Sequence, residues 1–272
     1  MNIEQLFNKK VDRRNFLKAS GTAAGMAVFN PIKIGRFLEK SAELIPPTIV
    51  MYHEVTYEFV RNDFVSRLQK GEIPISPETY IGILNGEIEL PKGLTTFMPT
   101  ADDGRLSQYD SFRRAVDYVQ RERGIFIPVT FFVLTMFNKL IDEKNMSMED
   151  IPDDTPCFND GVNNYMAKVQ IIQLIKDGHT IGNHGVNHWF WPSKTELNRN
   201  IDIDQGDERI QQLYDIAGVK RNCKLIAYPF GGVTTGILNR VSEQGYDCGF
   251  ITDPQEIDAS LKRFAISRTR LS

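Results

Sequence analysis

The sequence predicts a single α/β domain, an irregular (β/α) barrel with parallel strands inside and helices packed around them. Short β-branched apolar runs alternate with stretches of helical periodicity from Thr48 onward, and strand–helix repetition implies parallel pairing. The residues able to do chemistry fall at the ends of those runs, as they do at the mouth of a parallel barrel. No Gly-x-Gly-x-x-Gly follows the first run and no phosphate-binding Gly-x-x-x-x-Gly-Lys occurs, which counts against the open, doubly wound nucleotide-binding sheet.

Each element has its own justification. Thr48–Tyr52 is a β-rich run ended by His53, and reads as a buried strand. Residues 94–101 form a second, interrupted by Pro99, which has no N–H for a ladder. Between 111 and 123, Phe112, Ala115, Val116 and Val119 share one helical face, and Gly124 stops the helix. Residues 125–134 read as a third strand, 165–176 as a helix with Tyr165, Val169 and Ile172 on one face and Gly178 at its end, and 180–182 as a brief strand running into Asn183 and His184. Ile210, Leu213, Tyr214 and Ala217 mark a helix, Leu225–Tyr228 a strand, 237–244 a helix and 247–251 a strand. The long polar insertion 138–164 is expected to be a loop over the site rather than a domain boundary.

Bulk properties narrow the function. The chain has 272 residues, 32 basic against 35 acidic, a formal charge of −3, and 41% hydrophobic residues. That fills a core and excludes disorder as the dominant state. It offers no electrostatic footprint for a polyanion, so no nucleic-acid partner is expected. Cys157, Cys223 and Cys248 are scattered without metal-knuckle spacing, and Cys223 and Cys248 read as small buried hydrophobes. No run reaches the roughly 18 apolar residues of a membrane span.

The strand ends, in order, carry His53, Asp102-Asp103, Asn183-His184 with His188 four residues on, and Tyr228-Pro229-Phe230-Gly231. Two imidazoles at that spacing can turn toward one point. With a carboxylate they make a three-ligand set suited to zinc or a similar divalent ion, although a pair of loop histidines bonded to backbone would look the same. Adjacent aspartates on a strand end point to opposite sides, so that one can bind metal while its neighbour acts as a base.

Thr100-Ala101-Asp102-Asp103-Gly104, the segment from Gly178 to His188, and Ala227-Tyr228-Pro229-Phe230-Gly231 resemble, in order and spacing, the three main motifs of the polysaccharide deacetylase family, carbohydrate esterase family four. Ile49–His53 resembles the opening strand of its poly-N-acetylglucosamine deacetylase-like branch. The resemblance covers roughly residues 47–270. It implies a deformed (β/α)7 barrel that removes N-acetyl groups from an amino-sugar polysaccharide with one divalent metal, activated water attacking the amide carbonyl. Carried over by position, Asp102 matches the base, Asp103, His184 and His188 the metal ligands, and Phe230 the residue whose backbone N–H binds the oxyanion.

The pattern departs from the family at three places, of which Ala101 in place of the usual Phe affects packing and the other two affect chemistry. The family's late histidine is missing, all four histidines lying at or before position 188, which leaves His53 as the candidate acid; His179, at a strand start, reads as structural. Ala227 stands where many members carry a base-orienting arginine, a role Arg268 or Arg270 could fill. Of Trp189-Phe190-Trp191, one side chain could stack on a sugar, or all could pack internally. The insertion's acids, including Asp150 and Asp153, read chiefly as a solvated loop.

At the start, Asp12-Arg13-Arg14-Asn15-Phe16-Leu17-Lys18 and the uncharged run from Ala19 to Val28 resemble a twin-arginine export signal. Residues 1–42 are therefore set aside as signal and linker, and 43–272 as the catalytic domain, with export to the periplasm or cell surface expected. Other readings remain open: a degenerate carbohydrate-binding protein, a hydrolase of another amide or an ester, or a non-haem iron oxygenase using the same two histidines and carboxylate.

Overall fold

A computed structural model describes residues 45–141, 144–158 and 164–271; the twin-arginine-like segment lies outside them. In chain order the elements are β1 (Thr48–Tyr52), α1 (Tyr57–Gln69), β2 (Ile73–Pro74), α2 (Pro77–Leu84), β3 (Thr96–Asp103), α3 (Leu106–Arg123), β4 (Thr130–Val133), α4 (Asn138–Ile141), α5 (Lys168–Lys176), β5 (Thr180–Asn183), α6 (Glu196–Ala217), β6 (Leu225–Ala227), α7 (Thr235–Glu243), β7 (Cys248–Ile251), β8 (Ile266–Ser267) and β9 (Thr269–Arg270).

All the strands pair in parallel, in the order β8-β7-β6-β5-β4-β3-β1-β9, with β2 beside the start of β3. β8 and β9 are two stretches of one segment: the first pairs with β7, the second with β1. The segment therefore closes the sheet into a ring of seven staves, and Arg268 is the residue at the join. Strand alternation sorts the core into two layers. Ile49, Met98, Phe132, Leu225 and Phe250 pack inside the ring. Val50, Tyr52, Phe97, Phe131 and Ile181 pack outward against Phe64, Phe112 and Ile210 of the helices.

Local chemistry sets the helix ends. Gly124 and Gly218 close α3 and α6 in the left-handed conformation, and the Thr56, Thr195 and Thr234 hydroxyls accept N–H bonds at the starts of α1, α6 and α7. Pro99 is tolerated because pairing on its side passes from β2 at Phe97 to β4 at Thr100. Beside it the Thr100 hydroxyl donates to the Val50 carbonyl at 2.9 Å.

Several expected boundaries move. Helix α3 begins at Leu106 rather than 111, because the Gln108 side chain caps it by accepting the Arg105 N–H at 3.1 Å. β4 begins at Thr130, not 125. The helix expected from 165 begins at Lys168, since Arg105 and Tyr165 form an antiparallel bridge. Its buried face is Ile171, Ile172, Leu174 and Ile175, whereas Val169 faces solvent. α1 carries only Val60 and Phe64 as its fully buried stripe, too little periodicity to stand out in the sequence. The insertion is more than a solvated loop: Met148, Ile151 and Cys157 are buried, and the buried Lys168 ammonium donates to the carbonyls of Met148 and Ile151 at 3.3 and 2.5 Å and pairs with Asp153. Among the described residues no helix is long and apolar enough to cross a membrane.

His179 is structural in position. Its ring stacks on Phe126 at 5.4 Å, and its Nδ1 accepts the Val129 N–H at 3.3 Å. Burial pushes the imidazole down to about 4. The unfolded chain, with a histidine near 6.5, thus binds the proton first. This contribution to stability is complete above pH 6.5, is lost as pH falls toward 4, and amounts to about 3 kcal/mol in all at about 1.4 kcal/mol per pH unit. We expect unfolding midpoints in denaturant to drop over that window, and His179→Gln to flatten this part of the curve.

Candidate active site

The alternation that sorts the core also aims the chemistry. His53 continues the inward parity of Ile49 and Met51, and Asp102 that of Met98 and Thr100, so both reach the C-terminal mouth of the ring. Asp103 should then face outward. It does not, because Asp103 (φ 76°) and Gly104 (φ 73°) are both left-handed and the pleat breaks there. Asp103 Oδ1 lies 3.4 Å from His184 Nε2 and 3.5 Å from His188 Nε2.

One oxygen and two nitrogens of these residues lie within 4.8 Å of one another. Ligand bonds of about 2.0–2.1 Å at tetrahedral angles would set neighbouring ligand atoms about 3.4 Å apart, so the donor set fits a divalent ion. The supporting contacts fit as well. The Nδ1 of His184 lies 2.8 Å from the Ala227 carbonyl, which, with Nδ1 as the donor, leaves Nε2 bare for the ion. His188, left-handed at φ 51°, stacks on Phe230 at 4.5 Å.

Electrostatics follows this arrangement. Burial would raise Asp103, but His184 beside it, with His188 and His53, holds it well below the usual carboxylate range. Burial would lower His184, but Asp103 and Asp102 outweigh it and raise the imidazole. Burial and repulsion from His184 push His188 down to about 4.

Asp102 is not part of the trio. It is buried, and Arg268 grips it from below with Nη1 and Nη2, each 2.6 Å from a carboxylate oxygen. The same guanidinium reaches the Thr100 hydroxyl at 3.2 Å and the Ile251 carbonyl at 3.3 Å. Burial would raise Asp102; Arg268, with His184 and His53, more than offsets it, so the carboxylate stays ionised below its ordinary value. Of the two arginines considered for this role, Arg268 makes the contact, and Arg270 lies exposed at the rim. His53 Nε2 faces Asp102 Oδ2 at 3.9 Å. Burial pushes this imidazole below its ordinary value against the pull of Asp102 and Asp103. His53 and Phe230 line a cavity of about 280 Å³ with Met51, Thr252, Asp253 and Arg270.

Three further residues hold the site: Asn183 lies within the second motif, whereas Gln108 and Asp202 carry no motif signal. Gln108, buried in α3, donates to the carbonyls of His53 and Asp102 at 2.7 and 2.5 Å, tying together the ends of β1 and β3. Asn183 donates to the Ile203 carbonyl and the Tyr246 hydroxyl and accepts the Gly185 N–H; its side chain lies against Gly206 of α6, where a Cβ would sit 2.4 Å from Asn183 Oδ1. Asp202, also on α6, accepts from the Asn187 backbone and side chain and from Trp191 Nε1 at 3.0, 2.7 and 2.9 Å, anchoring the loop that carries His188. Trp191 is thereby buried and unavailable to a sugar, whereas Phe190 and Phe230 are exposed.

Comparison with known proteins identifies the family and the fold. The family model for polysaccharide deacetylase matches residues 94–249, more than half of the chain. The protein belongs to the polysaccharide deacetylase family. Similar solved structures include the Streptococcus pyogenes deacetylase PplD in complex with acetate (TM-score 0.64, 16% identity, covering 84% of this chain and 92% of that one). IcaB from Ammonifex degensii gives TM-score 0.61 at 19% identity over 84% and 92%, and the BpsB deacetylase domain from Bordetella bronchiseptica 0.57 at 14% over 86% and 98%. At such identities the likeness shows the barrel fold. A search of curated protein sequences finds no match. His53 and Arg268, the two groups flanking Asp102, both lie outside the family-matched span.

Removing one partner of a buried ion pair leaves the other charge uncompensated, at a cost of about 3–5 kcal/mol. Arg268→Met is expected to lose stability in that range, and Asp102→Asn combined with Arg268→Met to be more stable than Arg268→Met alone. Denaturant unfolding of the two single variants and the double variant measures the coupling.

Proposed function

We propose that this protein is a divalent-metal-dependent N-deacetylase of an amino-sugar polysaccharide, with zinc as the ion. The observation that carries the reading is an ionised carboxylate, Asp102, standing outside but beside a carboxylate–imidazole–imidazole trio of ion-holding geometry. Family membership supplies the substrate class, and the neighbours named deacetylases support it.

Asp103, His184 and His188 would hold the ion, which when bound acidifies water and polarises the amide carbonyl. Asp102 takes a proton from the water that attacks the acetyl carbon. Arg268 keeps that carboxylate ionised and fixed in direction. The proton taken by Asp102 passes from Oδ2 to His53 Nε2, which faces it at 3.9 Å, and as the C–N bond breaks His53 gives it to the leaving nitrogen, so that one water becomes the hydroxyl of acetic acid and the hydrogen of a free amine and both side chains return to their starting states. The backbone N–H of Phe230 is assigned to the carbonyl oxygen as it gains charge, a donor worth about 3–4 kcal/mol in comparable sites. Phe230 sits at φ 59°, a conformation that a non-glycine residue keeps only where its surroundings over-determine it.

The absence of the family's base-orienting arginine and late histidine from their usual places would favour a carbohydrate-binding protein without turnover. Arg268 and His53 now stand beside Asp102, which favours turnover. The same reading places the substrate beyond the cytoplasmic membrane, where the twin-arginine-like segment would send the folded chain.

Metal analysis combined with acetate release from N-acetylglucosamine oligomers tests the assignment. Wild type is expected to hold about one divalent ion and to release acetate. Asp102→Asn and His53→Ala should keep the ion and lose about 10²–10⁴-fold in kcat, whereas His184→Ala should lose the ion. Sugar binding without acetate release would make the chain a lectin-like relative, and oxygen-dependent turnover with iron an oxygenase. Full activity in His53→Ala would remove histidine from the acid role.

A further inference from the structure

We infer that Arg105 is a positioning residue for the ion site: its Nε–H holds the outer oxygen of Asp103, so that the carboxylate offers a single, fixed oxygen to the ion. The inference rests on the reading of Asp103, His184 and His188 as the ion-holding trio.

The two oxygens of Asp103 have different neighbours. Oδ1 faces the two imidazoles, at 3.4 and 3.5 Å. Oδ2 faces Arg105 Nε at 3.2 Å. Asp103 needs such a restraint, because its left-handed backbone takes it off the strand's pleat and sheet register no longer fixes where its side chain points. With Oδ2 released, the carboxylate could rotate, or turn both oxygens toward one cation.

Arg105 is itself held from several directions. Its backbone N–H goes to Gln108 Oε1 at 3.1 Å, its Nη1 lies 3.3 Å from Glu54, and its guanidinium lies 5.6 Å from the centre of the Tyr165 ring. The next residue, Leu106, donates its N–H to the Asn164 carbonyl at 2.7 Å. The end of the insertion is thus stapled to the turn that presents Asp103, and Arg105 forms the wall between the trio and a cleft of about 730 Å³ lined by Glu54, Thr56, Ser107, Asp110 and Asn164.

Two effects of Arg105 on a bound cation oppose each other. A guanidinium repels a dication, whereas a fixed ligand oxygen spares the site the cost of ordering it. The Arg105 side chain is 28% exposed, so water and salt screen the repulsion, and the positioning effect decides the sign. Loss of such a supporting contact typically weakens metal binding about 10–100-fold.

The experiment measures Zn²⁺ affinity of the metal-stripped full chain by competition with a chromophoric chelator, without substrate. Arg105→Met keeps the aliphatic stem but loses the donor, and is expected to bind Zn²⁺ about 10–100-fold more weakly. Arg105→Gln carries an amide N–H the same number of bonds from the backbone as arginine Nε, without the charge, and is expected to stay within about threefold of wild type if positioning is the role. Glu54→Ala, which removes only an exposed partner of Arg105, should leave the affinity within about twofold. The Co²⁺ absorption spectrum is the second readout: Arg105→Gln should keep the wild-type band intensity, and Arg105→Met should lose intensity as a second carboxylate oxygen enters. Unchanged or tighter binding in Arg105→Met, or equal losses in the Met and Gln variants, would overturn the inference and leave the function intact. A wild-type chain that binds no divalent ion would overturn both.

Discussion

A carboxylate buried at the mouth of a barrel stays ionised only if a cation is buried with it, and the Asp102–Arg268 pair meets that condition. Arg268 stands where β8 gives way to β9, the point at which the last segment stops pairing with β7 and starts pairing with β1. Its guanidinium touches the Ile251 carbonyl on β7 and Thr100 and Asp102 on β3, and lies over the Phe132 ring on β4. The group that fixes the proposed base therefore also braces the closure of the ring. A sheet left open at that edge would expose unpaired backbone and let Arg268 reach water, and Asp102 would lose its partner with it.

The strained backbone gathers at the same place. Among the described residues four non-glycine residues have positive φ: Asp103, Asn145, His188 and Phe230. Three of them belong to the site. Each such conformation costs about 1–3 kcal/mol, and each has a visible restraint: Arg105 on Asp103, Asp202 on the loop before His188, and beside Phe230 the Gly231 N–H bonded to the Tyr228 carbonyl at 2.8 Å. Strain also explains why simple alternation fails here. A straight strand would send Asp102 and Asp103 to opposite faces, and only the left-handed turn after Asp102 brings both carboxylates to one mouth.

This division accounts for what the amino-acid sequence reveals and what it hides. Strand ends are legible, because β-branched runs followed by His53, Asp102-Asp103 or His184 carry both a period and a chemical signature. The residues that position them are less so: Asn183 stands in a motif but without a visible role, Gln108 and Asp202 are ordinary polar residues within periodic segments, and only the fold sets all three against the groups they satisfy. Arg268 and Arg270 share a strand face and look equivalent in sequence. Register separates them, since Arg270 pairs beside Met51 near the rim while Arg268 lies one layer deeper, its stem buried and its guanidinium reaching past Thr100 to Asp102. Pro99 interrupts the strand pattern of β3 in the sequence but breaks no pairing, because β2 and β4 meet at that point, which no sequence pattern shows.

The shape around the trio bears on what kind of molecule it can serve. The cleft beside Arg105 and the cavity between His53 and Phe230 mix apolar with polar walls: Val55, Phe59 and Leu106 stand with Glu54, Asp110 and Asn164 in the first, and Met51 and Phe230 with Asp253 and Arg270 in the second. Phe190 and Phe230, 6.4 Å apart and both exposed, add an aromatic rim. A small amide is best held in an enclosed, largely apolar pocket. Walls that alternate apolar faces with carboxylate, amide and hydroxyl groups, beside an exposed aromatic edge, instead suit a sugar, whose hydroxyls find bonds while its ring faces lie on carbon. The exposed Phe190 and Phe230 edge thus adds to the case for the proposed sugar substrate without drawing on the family motifs.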